Sequence, residues 1–324
     1  MLHIKEHAIT HLPPQGSWPK SVHKWEKTAI QAVNTALTAR RPLLVRGEPG
    51  TGKSQLARAA AKELGRVFIT EVINAKSESR DLQYHFDAVR RLGEAQALGA
   101  AGSDASRRLD PVRFLSPGPL WWCLNWSTAV DQVNESICGV AGPVPPEGWD
   151  MSKGSVLLLD EIDKADADLP NGLLETLGNG GFSIPYTHHT VCLPENVSSP
   201  LVIITTNEEW ELPAAFLRRC MVLHISLPTI KDEFITFLAD RGRTHFPRIH
   251  SDETDSKILR EAARQLWNDR KEALDACQPR PGQAEYLDIL RALKDMADGN
   301  TDPLAVLDEI KDFAFKKYPD ERFS

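Results

Sequence analysis

Apolar runs alternate with helix-like patterns through the first two thirds of the chain. A near-continuous apolar run bounded by Gly, Pro or Asn is typical of a buried strand in a parallel sheet. Helical spacing fills Val22–Ala39, Ser54–Leu64 and Asp81–Leu98. The predicted strands are Pro42–Val45, Arg66–Thr70, Val156–Leu159, Leu201–Thr205 and Met221–Ile225. Strand, loop, helix and strand within about 30 residues form a βαβ unit, so the pattern predicts an α/β fold.

The pattern changes after Pro228, where strand-like runs stop and only helical periodicity continues. We therefore predict a boundary near residue 227. It separates an α/β domain over residues 22–227 from an all-helical domain over 228–324. Residues 1–21 contain Pro13, Pro14, Gly16 and Pro19 and are predicted to be an irregular lead-in.

A glycine-rich segment directly follows the first predicted strand and matches G-x-x-x-x-G-K-[ST] in full. It reads Gly47, Glu48, Pro49, Gly50, Thr51, Gly52, Lys53 and Ser54. In such a loop the backbone N–H groups turn toward phosphates, the lysine reaches the β- and γ-phosphates, and the hydroxyl holds Mg²⁺. A chance glycine-rich turn is the alternative, but the strand before and the alanine-rich helix after favour a phosphate-binding loop for ATP.

A second motif is the apolar strand that ends in Asp160 and Glu161. Ligands of open α/β sheets bind at the carboxyl ends of the strands, where both carboxylates are expected. Asp160 is predicted to hold Mg²⁺ and Glu161 to act as the general base on the attacking water. A solvated acidic turn is the alternative, and it remains the interpretation of Asp163, Asp166 and Asp168.

Two further positions gain interest because these motifs are present. Asn207 follows the strand Leu201–Thr206 and could orient the lytic water, although an Asn after a strand is commonly turn-forming. Arg218 and Arg219 end a short predicted helix. An arginine there can reach a neighbouring subunit's γ-phosphate, but sequence alone favours two surface arginines at a helix C-terminus.

Composition adds constraints rather than a function. The net charge of −7 and the scattered basic residues argue against a nucleic-acid-binding stripe. The five cysteines form no CxxC pair, so neither a zinc site nor a disulfide framework is indicated. The N-terminus lacks the apolar region of a secretory signal, and no apolar run is long enough to span a membrane. We expect a cytoplasmic protein.

Together these motifs resemble the AAA+ ATPases, and within them the MoxR-type branch. The resemblance covers about residues 25–290. It is carried by RPLLVRGEPGTGKSQLARA, VLLLDEIDKADADLPNGLLE, PLVIITTNEEWELPAAFLRRC and, in an insertion, RDLQYHFDAVRRL. It implies a three-layer αβα domain with a five-stranded parallel sheet, a helix-2-type insertion at about 72–150, and a C-terminal helical lid.

The resemblance also implies roles for individual residues. Asn207 takes the sensor-1 role, and Arg219, with Arg218 second, matches the arginine-finger position. Arg280 lies in a segment similar to the start of the sensor-2 helix and is the expected lid contact to the γ-phosphate. Gly282 stands where members of the family often have serine, and an ordinary loop arginine is the alternative for Arg280.

The implied function is an ATPase that forms a homo-oligomeric, hexameric ring and remodels a partner protein, such as one with a von Willebrand factor A domain. A nucleotide-gated switch with little turnover and a DNA-acting AAA+ motor are the alternatives.

Two groups of residues need a separate interpretation. Trp121, Trp122 and Trp126 could form a partner-binding surface, but aromatics at near-helical spacing are more often core packing. His188 and His189 lie in a predicted hairpin without further ligands, so Mg²⁺ is the one metal expected.

Overall fold

The computed structural model describes residues 1–98, 105–187, 189–246, 253–296 and 303–315. The chain divides into two compact units. The first comprises Met1–Ile4, Lys27–Arg46 and Leu56–Leu223. The second comprises Lys5–Glu26, Gly47–Gln55 and the chain from His224 onward.

The strands in the described part of the chain are short, with three to six residues each. In chain order they are β1 (Ile9–Leu12), β2 (Ser21–Lys24), β3 (Leu43–Arg46), β4 (Val67–Val72), β5 (Tyr84–Phe86), β6 (Leu115–Pro117), β7 (Ser155–Asp160), β8 (Gly181–Ser183), β9 (Thr190–Cys192), β10 (Leu201–Thr206) and β11 (Met221–His224).

The helices alternate with the strands along the first part of the chain and follow them in its C-terminal part. They are α1 (Lys27–Ala39), α2 (Lys53–Leu64), α3 (Ser79–Gln83), α4 (Ala88–Leu98), α5 (Ala105–Arg108), α6 (Pro119–Leu124), α7 (Trp126–Glu135), α8 (Asp168–Asn179), α9 (Ala214–Arg219), α10 (Lys231–His245), α11 (Glu253–Asp275), α12 (Gln283–Met296) and α13 (Pro303–Phe315).

The main sheet has five parallel strands in the order β11-β3-β10-β7-β4. Strands β7 and β10 lie near its centre, and almost all of their residues are buried because helices cover both faces. The register aligns Arg46 with Thr206 and Val72 with Asp160, so these strands end at one common edge. The predicted α/β fold with a five-stranded parallel sheet is confirmed.

The second unit combines a hairpin with helices. β1 and β2 pair antiparallel, with Ile9 opposite Lys24. The helical core is built on α10, α11 and α12, where Phe234, Leu259 and Tyr286 are fully buried. The Lys24 ammonium pairs with Asp240 of α10 at 2.5 Å, which ties the hairpin to the helices.

The sequence-based prediction was wrong at the N-terminus. Residues 1–21 were expected to be irregular, but Ile9–Leu12 forms β1. The helix predicted to begin at Val22 begins at Lys27, because Ser21–Lys24 pairs with β1 instead. Strand pairing depends on a partner elsewhere in the chain, which the periodicity of one segment does not reveal.

A second correction concerns the helix predicted over Asp81–Leu98. Three elements stand there, because β5 interrupts the helical path by pairing antiparallel with β6. Leu82 is consequently buried, whereas Val89 and Leu92 of α4 are 83% and 60% exposed. The helical spacing of apolar residues in this segment therefore does not correspond to one buried helix face.

No helix among the described residues is both long and apolar enough to cross a membrane.

Candidate functional site

The phosphate loop runs from the end of β3 to the start of α2, and its glycines have backbone angles that favour glycine. Gly47, Gly50 and Gly52 have φ values of +146°, +74° and +91°. A Cβ on Gly47 would lie 2.2 Å from the carbonyl oxygen of Ile225, and one on Gly50 would lie 2.7 Å from Cβ of Ala284. Only glycine fits this loop without strain.

Lys53 lies at the C-terminal end of the loop and its side chain turns back to bond the start of the loop. Its side chain is buried, and Nζ donates hydrogen bonds to the carbonyl oxygens of Gly47 at 2.8 Å and Glu48 at 2.9 Å. Thr51 Oγ1 donates to the same Glu48 carbonyl at 2.9 Å. The ammonium group therefore lies inside the loop, and Ser54 follows in the first turn of α2. A glycine cradle, an inward lysine and a helix start fit a nucleotide phosphate group.

The side chain of Glu48 is bound by two arginines of the helical region. Arg280 Nη2 lies 2.5 Å from Glu48 Oε1, and Arg270 Nη2 lies 2.7 Å from Glu48 Oε2. The structure thus places Arg280 on a carboxylate of the phosphate loop, whereas the resemblance implies a contact to the γ-phosphate, which stays a prediction. Sequence reasoning missed Arg270, which lies within the long helix α11 and carries no motif that could have marked it.

The carboxylates predicted for Mg²⁺ and for base catalysis lie at the end of β7. Thr205 Oγ1 of β10 donates to Asp160 Oδ1 at 2.5 Å and accepts the backbone N–H of Glu161 at 2.9 Å. One hydroxyl group therefore fixes both acidic residues. Sequence reasoning missed Thr205, although a polar residue near the end of an otherwise apolar strand was a usable signal.

The backbone of Glu161 adopts the left-handed conformation, with φ of 61°, which few non-glycine residues adopt. Its Oε2 accepts a hydrogen bond from Lys164 Nζ at 2.6 Å, and Asn207 Nδ2 lies 3.4 Å from its Oε1. The hydrogen bond to Glu161 raises the pKa of Lys164 above its usual value. The structure thus brings Asn207 and Glu161 together, as sensor and base candidates.

Asp163 has a structural role in this segment. It is buried, and its Oδ2 accepts the backbone N–H groups of Asn207 at 3.2 Å and Glu209 at 3.1 Å. These bonds hold the segment after β10 against the segment after β7. Glu208 in turn pairs with Arg46 Nε at 2.6 Å, which fastens the end of β3. These contacts join the ends of β3, β7 and β10 at the edge of the sheet where Asp160 lies.

Arg218 and Arg219 occupy the last turn of α9, and both are exposed. Phe216 of the same helix is fully buried and anchors it to the first unit. This arrangement presents the two guanidinium groups to the surface of the unit.

The tryptophan group packs as core, which confirms the interpretation favoured from the sequence. Trp121 and Trp122 are buried, and Trp126 lies edge-on between Trp122 at 4.8 Å and Trp149 at 4.7 Å, measured between ring centroids. His188 lies outside the described residues. Over the residues that are described, no group of three or more His, Cys, Asp or Glu residues is arranged to hold a metal ion.

Among the known proteins similar to this chain are one curated relative and one solved structure. A mitochondrial Lon protease homologue from Phaeodactylum tricornutum (strain CCAP 1055/1) is 28% identical over 188 residues, which is 57% of this chain. The chain spans only 16% of the length of that curated relative. A crystal structure of a candidate ATPase from Cytophaga hutchinsonii ATCC 33406 covers 89% of this chain and 85% of its own, with 15% identity and a TM-score of 0.37.

The family comparison is more decisive, because the matched segment holds the glycine loop, the strand-end carboxylates and the arginine pair. The model for the AAA domain (dynein-related subfamily) matches residues 42–220, more than half of the chain. The chain therefore belongs to the AAA domain family, dynein-related subfamily.

Proposed function

We propose that this protein is an ATP-hydrolysing AAA+ ATPase of the MoxR type. The observation that carries the proposal is the loop at Gly47–Ser54, where left-handed glycines and the inward Lys53 form a phosphate cradle. Strand β3 leads into this loop, and β3 ends at the same carboxyl edge of the sheet as β7 and β10. Membership of the AAA domain family supports nucleotide binding.

The proposed roles follow from chemistry that each residue can perform. Lys53 neutralises phosphate charge, and Glu161 accepts the proton of the attacking water while Asn207 orients it. Ser54 and Asp160 would hold Mg²⁺, which when bound neutralises developing charge on the phosphate oxygens. Thr205 keeps Asp160 and Glu161 in place through its two hydrogen bonds.

We further propose that the active protein is a homo-oligomeric ring, hexameric as in the family it resembles. The exposed Arg219, with Arg218 as the second candidate, would complete the site of the neighbouring subunit. The output would be the remodelling of a partner protein, with a von Willebrand factor A domain as the first candidate. Mixing Arg219→Ala and Glu161→Gln chains tests the shared site, because rings with complementary interfaces should recover turnover that neither variant has alone.

Three proteins test the enzymatic proposal: the parent chain, Lys53→Ala and Glu161→Gln. Steady-state phosphate release with saturating ATP and Mg²⁺ should occur only in the parent, while calorimetry should detect ATP binding in the parent and in Glu161→Gln. Loss of binding in Lys53→Ala is the expected result for the loop. Parent-level turnover in Glu161→Gln would refute the base assignment.

A nucleotide-gated switch is the second candidate, and one contact favours it. The Glu161 carboxylate is bound by Lys164 at 2.6 Å, and a base engaged in an ion pair is less available to a water molecule. Tight ATP binding by the parent chain without measurable phosphate release would support the switch and refute the enzyme.

A further inference from the structure

Glu48 occupies a variable position of the phosphate loop, yet both of its carboxylate oxygens are bound by arginines. Oε1 pairs with Arg280 at 2.5 Å and Oε2 with Arg270 at 2.7 Å. All three residues belong to the second unit. We call this group the Glu48 clamp. Charge-assisted bonds of this kind are among the stronger hydrogen bonds in proteins.

The two arginines of the clamp differ in how firmly they are held. The Arg270 side chain is 12% exposed, donates a second hydrogen bond to the carbonyl oxygen of Pro281 at 2.7 Å, and lies over the ring of Phe234 at 5.7 Å. The Arg280 side chain is 41% exposed, and its ion pair is with Glu48. Arg270 is therefore the fixed member of the clamp, and Arg280 is the member that can move.

The charges of the clamp lower the free-energy cost of moving Arg280 away from Glu48. Two guanidinium groups face one carboxylate, so the group carries one positive charge in excess. If Arg280 leaves, Glu48 stays paired with Arg270 and no carboxylate is left uncompensated. Without Arg270, the same movement of Arg280 would leave the Glu48 carboxylate without an ion-pair partner. Leaving a partly buried charge uncompensated is strongly unfavourable.

We propose that Glu48 competes with the γ-phosphate of ATP for Arg280, and that Arg270 is the positioning residue that makes the exchange possible. This inference rests on the proposed nucleotide binding and deepens it. Arg280 stays on Glu48 when the bound nucleotide is a diphosphate and moves to the γ-phosphate of a triphosphate. The clamp thereby sets how strongly the protein prefers ATP over ADP, and it links that preference to the start of α12.

The close packing of loop and helix supports such a link. A Cβ on Gly282 would lie 3.3 Å from the carbonyl oxygen of Pro49, and the backbone N–H of Gly282 donates to Glu285 Oε2 at 2.8 Å. The segment that carries Arg280 is therefore packed on the phosphate loop itself. A change in the partner of Arg280 acts directly on the first turn of α12.

The test is calorimetric binding of ADP and of the non-hydrolysable analogue AMP-PNP, each with Mg²⁺, to the full chain. The measured quantity is the preference ratio, the Kd for ADP divided by the Kd for AMP-PNP. Glu48→Gln should raise this ratio several-fold because the neutral amide competes poorly for Arg280. Arg270→Gln should lower it by about tenfold, the size of one charge-assisted hydrogen bond.

Double variants separate this mechanism from a merely structural role. In an Arg280→Gln background, Glu48→Gln should leave the ratio unchanged because the contested group is gone. In a Glu48→Gln background, Arg270→Gln should no longer lower the ratio. Glu261→Gln is the matched control: it removes the same charge from α11, where Glu261 pairs with Arg264 at 2.8 Å, and should leave the ratio at the parent value.

The outcomes are distinct. A Glu48→Gln ratio equal to or below that of the parent overturns the competition, even if both nucleotides bind more tightly. If Arg270→Gln fails to fold, which a thermal melt would reveal, the Glu48→Gln and Arg280→Gln pair still decides the matter. A parent chain that binds neither nucleotide refutes the proposed function itself, whereas normal binding with an unmoved ratio refutes only the clamp.

Discussion

Replacing Thr205 with valine should damage both acidic residues at the end of β7. Thr205 is 1% exposed, and its hydroxyl donates to Asp160 Oδ1 at 2.5 Å while accepting the Glu161 N–H at 2.9 Å. Valine keeps the shape of the side chain but removes both bonds. A hydrogen bond to a carboxylate such as that of Asp160 is worth about 1.5–3 kcal/mol, and an unsatisfied buried N–H costs about 1–3 kcal/mol.

We therefore expect Thr205→Val to lower the free energy of unfolding by about 2–4 kcal/mol, allowing for overlap between the two terms. Urea titration followed by circular dichroism measures this loss. Turnover should fall by at least about tenfold, because the hydrogen bond from the Glu161 backbone N–H that positions this residue is lost. Binding of ATP should change less, because the glycine cradle and Lys53 are untouched.

Thr206→Val is the matched control for this prediction. Thr206 is also 1% exposed, but its hydroxyl accepts the Glu208 N–H at 2.9 Å and bonds neither acid. Thr205→Ser should retain most of the turnover because it keeps the hydroxyl. Equal losses of turnover in Thr205→Val and Thr206→Val would refute the positioning role of Thr205.

Three further changes have defined expected outcomes. Lys164→Gln should raise steady-state turnover by roughly two- to fivefold, because it releases Glu161 from a half-exposed ion pair worth at most about 1 kcal/mol. Burial lowers the pKa of His23 from 6.5 to about 3, with Arg241 adding to the effect. The unfolded chain therefore binds a proton that the folded chain excludes, so His23 should lower the free energy of unfolding by about 1.4 kcal/mol for each unit that the pH falls between pH 6.5 and about 3. His23→Gln should remove this contribution from the pH dependence of stability in urea titrations, while His245, whose pKa burial lowers to about 4, keeps its own. Gly47→Ala should abolish nucleotide binding in calorimetry, because its Cβ would lie 2.2 Å from the Ile225 carbonyl oxygen.

Each of these changes has a control and a contrary outcome. Lys164→Arg keeps a cation beside Glu161 and should turn over at the parent rate; faster turnover would contradict the restraint. His7→Gln in the same hairpin region leaves the buried imidazole intact, and an equal change of slope would contradict the assignment to His23. Gly16→Ala, where φ is +56° and no atom lies within 4 Å of the added Cβ, should bind nucleotide normally.

Much of the candidate nucleotide site could be proposed from the sequence because it lies in contiguous segments. The loop from Gly47 to Ser54 and the strand that ends at Asp160 combine local backbone needs with local polarity. Their residue types are required by phosphate geometry and by burial on both faces of a parallel sheet. The helical character of the chain after Pro228 could be predicted for the same reason, since amphipathic periodicity is a local property.

The N-terminal hairpin and the β5–β6 pair could not be predicted, because strand pairing depends on a partner distant in sequence. Residues 21–24 contain nothing that excludes a helix; β1 decides their conformation. The sequence could identify Glu161 as a candidate base, but not its contact with Lys164. That contact depends on the turn after β7 and on the left-handed backbone of Glu161.

By itself, then, the sequence determined the fold class, the phosphate loop and the strand-end carboxylates, because each follows from patterns within one segment. Only the tertiary structure decided which groups hold those residues in place. Thr205 reaches Asp160 across neighbouring strands. Arg270 and Arg280 reach Glu48 from more than 200 positions away along the chain. Such contacts depend on how segments pack together, which no local pattern encodes.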